Sequence, residues 1–238
     1  WGAQTDGIYA DWEEAINSRI AGAAPGEIKY LNNYVDVDES GEPLAIQEIN
    51  FDDYVKIGDP NPDFTYSISN NFTYKNWDAS ILFTGQKGGD LFWVDSWQLS
   101  GLQKTTNVLT SSFENSWKAP LVYENGSYVY NPLAGNINNV EHPGAIIDTG
   151  ARAISSDRNI YDGSFIRLKN INIGYNFEFS QGRNMRVYIS GQNLFVWTDY
   201  PGYDPEVKTY TKNPQKRGVD FGTYPGTKSV LFGLKFNY

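Results

Sequence analysis

The last stretch of the chain alternates strictly. Val230, Phe232, Leu234, Phe236 and Tyr238 are apolar or aromatic at period two, and Ser229, Gly233, Lys235 and Asn237 fill most of the positions between them. Residues 63–74 repeat the pattern. Phe64, Tyr66, Ile68, Phe72 and Tyr74 share one face, interrupted by Asn70, and Thr65, Ser67, Ser69, Asn71 and Thr73 share the other. Lys75-Asn76 reads as a tight turn. The next strand sets Trp77, Ala79, Ile81, Phe83 and Gly85 against Asp78, Ser80, Thr84 and Gln86, with Leu82 out of phase. Two more strands are predicted at about 164–175 and 185–197. In the latter, Val187 and Ile189 point one way and Arg186, Ser190 and Gln192 the other. In the former, Arg167 and Lys169 share parity with Ile171, Ile173 and Tyr175. The reading adopted is that the charged part stands clear of an apolar surround; a bulge near Lys169-Asn170 is the alternative.

A strand with one greasy and one polar face separates either lipid from a wet interior or a soluble core from water. Connections decide between the two. The turns at 75–76 and 176–184 are short, whereas 87–163 and 198–228 are long, as in a barrel with short periplasmic turns and long extracellular loops. With the C-terminus in the periplasm, residues 1–62 also fall outside. Within them, Asp11-Trp12-Glu13-Glu14-Ala15-Ile16 through Ile20 has helical spacing, closed by Gly22. Five strands cannot close, since the smallest barrels have about 8. An open sheet would leave two edges unpaired in hydrocarbon, so strands from elsewhere must complete it.

Composition sharpens this picture. Aromatics make up 16% of 238 residues while mean hydropathy is -0.50, a pairing that suits barrel girdles with wet loops. A net charge of -9 argues against nucleic acid. The absence of cysteine excludes disulfides, thiolate metal sites and thiol nucleophiles. The single histidine, His142, lies in a loop-like Glu-His-Pro-Gly stretch. No apolar run is long enough for a transmembrane helix. The opening Trp1-Gly2-Ala3-Gln4 lacks the features of a signal peptide, which reads as a processed product or a piece of something longer.

Six blocks carry a family resemblance. Residues 25–30 (PGEIKY) are similar to PGDIKY, 58–64 (GDPNPDF) to GNPNPDF, 165–171 (FIRLKNI) to YVRLKNI, 186–194 (RVYISGQNL) to RVYVSGQNL, 203–206 (YDPE) to GxDPE, and 220–225 (DFGTYP) to DxGxYP. In this order they resemble SusC-like TonB-dependent transporters of the bacterial outer membrane. The resemblance implies an all-β fold. It makes this chain the last five antiparallel strands of a transmembrane β-barrel of about 22 strands. Residues 1–62 would be an extracellular loop region, and 63–238 would hold barrel strands with long extracellular loops at 87–163 and 198–228. The plug domain and the TonB-interacting segment would lie outside these residues. It further implies import of oligosaccharides or oligopeptides under a SusD-like surface lipoprotein acting as a lid. The alternatives are a structural barrel subunit of a larger outer-membrane assembly without transport, or a soluble β-rich glycan-binding module.

Candidate chemistry is sparse. The aromatic loop 87–163 offers Trp93, Trp97, Trp117 and Tyr128 as ligand contacts, because such rings stack on sugars and grip peptides; loop packing is the competing reading for each. The family often has a DxNGDGxID loop after PGDIKY. Here Asp36, Asp38 and Ser40 with Gly41 keep its first half, so a calcium ion is conceivable, but Gln47 stands where a bidentate acid belongs. No other cofactor is expected. Phe236 and Tyr238 form the expected assembly signal. The acid pairs Asp52/Asp53 and Glu13/Glu14 read as surface charge, and no enzyme motif is present.

Overall fold

The computed structural model describes residues 1–100, 107–131, 140–144, 155–207 and 217–237. In chain order the first elements are β1 (Thr5–Ile8), α1 (Trp12–Ser18), β2 (Ile28–Tyr30), β3 (Pro62–Tyr74), β4 (Trp77–Gly88) and β5 (Asp90–Trp93). Next come α2 (Ser96–Ser100), α3 (Thr110–Glu114), β6 (Leu121–Glu124), β7 (Ser127–Tyr130) and β8 (Ile160–Asp162). The chain ends with β9 (Phe165–Glu178), β10 (Asn184–Trp197), β11 (Val219–Asp220) and β12 (Ser229–Asn237). Two compact units result, one from Trp1–Gly58 with Trp93–Ile160 and one from Asp59–Phe92 with Tyr161–Tyr238.

In the first unit, β1 pairs with β2 in antiparallel fashion. The helix α1 starts where Asp11 accepts a bond from Glu14 N at 2.9 Å. It stops at Ser18, short of the predicted Ile20, because Arg19 turns left-handed at φ 58. Glu14 accepts from Ala10 N and, with Asp6, holds Lys29 at 2.8 and 3.0 Å. Lys29 and Ala10 hold the Glu14 carboxyl below its usual range, and Glu14 and then Asp6 raise Lys29. The hairpin β6–β7 turns at Asn125 and Gly126, both at positive φ, which is the geometry of a tight hairpin turn.

In the second unit the sheet order is β12-β10-β9-β4-β3, so every long strand lies beside its neighbour among the long strands of the chain. All pairs are antiparallel. The register sorts the side chains into two faces. Phe72, Ala79, Ile173, Ile189 and Phe232 fall in one row on the apolar face. Thr73, Asp78, Gly174, Tyr188 and Gly233 fall in the next row on the polar face. The apolar row lies open, with Phe72 57% and Phe232 81% exposed. Such a continuous greasy face has no place against water.

The charged part of β9 follows the alternative reading. Leu82 pairs with Asn170 and Phe83 with Leu168, which leaves Lys169 as an extra residue. The bulge shifts parity by one. Leu168 and Ile166 stay on the apolar face and Arg167 turns to the polar one, so the expectation that Arg167 stands clear of the apolar surround on that face is corrected. A matching irregularity in β10 between Gln192 and Phe195 contains Asn193, at φ 52. Asn193 and Leu194 stand against Lys169 alone, so the irregularity carries on from the β4–β9 pairing into the β9–β10 pairing.

Candidate functional site

Two polar networks grow out of the polar face. The first ties three strands together. Arg186 on β10 donates from Nε to Asp78 Oδ1 at 2.9 Å and from Nη2 to Asp78 Oδ2 at 2.5 Å. Its Nη2 also reaches Asn172 Oδ1 at 2.6 Å, while Asn176 Nδ2 donates to Asp78 Oδ1 at 2.9 Å. The guanidinium lies across Gly174, where a Cβ would stand 2.5 Å from Nε, so a larger residue there would push the Arg186 fork aside. The planar fork matches the carboxylate in a way that a lysine would not.

The second network is buried. Arg167 Nη2 meets Asp204 Oδ1 at 2.5 Å, with the two side chains 3% and 7% exposed. Arg167 Nε stands 3.0 Å from Glu206 Oε2, which also receives Lys169 Nζ at 3.4 Å. Asp204 accepts from the backbone of Glu206 at 2.9 Å and of Gly226 at 3.1 Å. Asn193 Nδ2 donates to Thr227 O at 3.2 Å. The groups at these irregularities thus hold Asp204, Glu206 and Thr227, and Asp204 holds Gly226. A second anchor joins Tyr200 to Asp220 and Thr223, since fully buried Asp220 accepts from Tyr200 Oη at 2.5 Å and Thr223 N at 2.8 Å. Sequence reading named the blocks at 165–171, 203–206 and 220–225 but not this joining of the first two, for which an unpaired Arg beside a later Asp-Pro-Glu was the available signal.

The predicted ligand contacts belong to the first unit. Trp93 is buried. The Trp97 indole donates to Asn159 Oδ1 at 2.6 Å, and Asn159 in turn donates to Ser96 Oγ at 2.6 Å. Trp117 donates to Ala10 O at 3.3 Å and packs against two glycines, where a Cβ on Gly26 or Gly144 would lie 2.6 or 2.8 Å from its ring. Gly26 is also at φ +81, which gives its place in the PGEIKY block a physical reason. Trp97 and Trp117 are partly exposed, and Tyr128, 73% exposed, contacts Tyr123 edge-on across the β6–β7 hairpin. His142 is half-buried, and burial, then Arg158, pushes its pKa down.

The acidic loop is bonded to itself. Asp38 Oδ1 accepts from Ser40 N, Ser40 Oγ and Glu42 N, and the Ser40 hydroxyl leads the lowering of its pKa. Asp36 accepts from Glu48 N and Asn50 Nδ2. Gln47 turns its amide inward, taking Asp36 N and giving to Leu44 O. Oxygens that already face hydrogens make a poor calcium cage. Among the described residues no cluster of three acids or histidines converges as a metal site. Asp36, Asp38 and Ser40 do not fit the cation. Phe236 is 63% exposed on β12; Tyr238 lies outside the described residues.

No protein-family model matches the chain. TonB-dependent receptor P3 of Formosa agariphila is 33% identical over 214 residues, which is 86% of this chain and 19% of the receptor. TonB-dependent receptor SusC of Bacteroides thetaiotaomicron is 28% identical over 222 residues, 84% of this chain and 18% of its own. The chain belongs to the SusC-like TonB-dependent receptors. It spans about a fifth of the length of the curated relatives it matches. A structure of the RagAB peptide transporter shares the fold at TM-score 0.65 and 17% identity, over 99% of this chain and 22% of that one. Its all-β sheet is that of an outer-membrane β-barrel protein.

Proposed function

We propose that this chain forms the last five strands of a barrel of about 22 strands in a TonB-dependent importer of oligosaccharides or oligopeptides. Residues 1–62, 87–163 and 198–228 then lie on the extracellular side, and a SusD-like lipoprotein covers the mouth. One observation carries the reading. Five consecutive long strands form a sheet with a greasy face and two open edges, β3 and β12. Unpaired backbone groups in hydrocarbon cost several kcal/mol each, roughly, so both edges must meet further strands of the same barrel. The polar face then lines the interior, where Arg186 and Asp78 satisfy each other. Tyr128 remains the exposed aromatic candidate for contact with cargo or lid, whereas Trp93, Trp97 and Trp117 serve as packing.

Two experiments test this. In the full-length receptor, Phe236→Ser with Tyr238→Ser should abolish the folded, heat-modifiable species in the outer membrane. Normal amounts of that species would refute the assembly role. Deleting the receptor should abolish energy-dependent uptake of its cargo by intact cells. Correct assembly without uptake of any oligosaccharide or peptide would favour the transport-inactive wall subunit.

A further inference from the structure

We infer that one row across the polar face, Asp78, Gly174, Tyr188 and Gly233 with Arg186 beside it, is a register lock that fixes where the last strand, β12, pairs. Its consequence for closure rests on the barrel reading. A hairpin takes its register from its turn. The short turns after Tyr74 and Glu178 do this for β3–β4 and β9–β10. The pairs β4–β9 and β10–β12 have no such aid, because the long segments 89–164 and 198–228 join them. Their register must come from the strands themselves.

Alternation supplies half of it. A slip of β12 by one residue turns Val230, Phe232, Leu234 and Phe236 onto the polar face, which excludes odd slips. A slip by two keeps every face and needs another device. In the row, Asp78 pairs with Gly174, Gly174 with Tyr188, and Tyr188 with Gly233. The Tyr188 ring lies over Gly233, where a Cβ would stand 2.5 Å from Cε1. Gly233 is the one glycine of β12. A slip by two sets Leu231 or Lys235 under the ring instead.

On the other side the seat is taken. The space over Gly174 holds the Arg186 guanidinium, 2.5 Å from where a Cβ would be. Asp78 and Asn172 hold that guanidinium, and its carbon lies 4.8 Å from the centre of the Tyr188 ring. A side chain opposite Tyr188 therefore lifts the ring away from both the glycine and the cation. Asn176 on β9 donates to Asp78 on β4, so the same network ties the other pair that no turn fixes. The far edge of β12 must meet the first strand of the barrel. The register chosen at Gly233 then sets the stagger at which the wall closes.

The test moves the glycine. In the full-length receptor, with cysteines elsewhere replaced by serine, Ser229→Cys is combined with Gln192→Cys, its partner in the observed register, or with Ser190→Cys, its partner after a slip by two. Oxidation in outer membranes reports which pair is joined. Without further change, the 192–229 bond should exceed the 190–229 bond at least about tenfold. Leu231→Gly with Gly233→Leu shifts the glycine by two and should invert that preference. Tyr188→Ala alone should bring the two bonds within about threefold of each other, and it decides the matter where the glycine swap fails to assemble. The lock is overturned if Tyr188→Ala keeps the tenfold preference, or if an assembled glycine swap keeps it. Heat modifiability separates the two levels. A heat-modifiable receptor whose register ignores both changes loses the lock and keeps the barrel. A register that follows the glycine in a receptor with no heat-modifiable form keeps the lock and removes the barrel.

Discussion

Replacing Arg167 with Met should release the last long loop without unpairing the sheet. Arg167 and Asp204 are 3% and 7% exposed and 2.5 Å apart. Methionine keeps most of the side chain's bulk and removes the cation, so Asp204 becomes a buried carboxylate facing two backbone N–H groups alone, those of Glu206 and Gly226. Deleting one partner of a buried pair costs about 3–5 kcal/mol. The remaining donors, and the ability of the loop to lift into water, place this case near the lower end, at about 3 kcal/mol. At about 1.4 kcal/mol per decade, the open population of the loop rises roughly a hundredfold. Cleavage follows that population when reclosing outpaces the protease. The assay is limited proteolysis of the full-length receptor in detergent, with cuts in 198–228 located by fragment mass. Asp204→Asn added to Arg167→Met should recover part of the loss, because no unpaired charge is left behind. A single variant cut within threefold of the wild-type rate would show that the pair does not latch the loop.

Other outcomes follow from the same contacts. Arg186→Leu should cost about 2 kcal/mol through loss of charged hydrogen bonds, read as a lower urea midpoint for the heat-modifiable form; an unchanged midpoint would count against the three-strand staple. Gly26→Ala should destabilise the unit around Trp117 by about 3 kcal/mol, since it combines a left-handed backbone with a clash, and tryptophan fluorescence during urea unfolding would report it. His142 has a lowered pKa, so its neutral form favours the fold. Its contribution is full above the ordinary histidine value of about 6.5 and is lost as pH falls below that. His142→Gln should therefore flatten the acid side of the stability profile near that pH, and parallel profiles would contradict the assignment. Glu14 has a lowered pKa and Lys29 a raised one. Their small, partly exposed contribution should fade as pH falls below the usual glutamate range and again as it rises above the usual lysine range, with Lys29→Met removing both arms.

Much of the sheet was legible because its signal is local. Lipid on one side and polar surroundings on the other impose period two on each strand, so Phe64 to Tyr74 and Val230 to Phe236 declare their faces without a neighbour. The short turns after Tyr74 and Glu178 are equally visible. What lay beyond sequence reading depended on partners distant in the chain. The charged run of β9 allowed two phases, and its pairing with β4 set the bulge at Lys169. The bond from the Trp97 indole to Asn159, more than sixty residues away, was equally invisible in the sequence. The packing of Trp117 against Gly26 and Gly144 is of the same kind. Arg167 and Asp204 stood in separate blocks, and only the fold shows that one neutralises the other. Alternation is written residue by residue because each strand meets lipid on its own. Pairing, burial and the cancelling of charge are settled only when remote segments share the same low-dielectric space, and that is where tertiary structure decided the role of each polar and aromatic side chain.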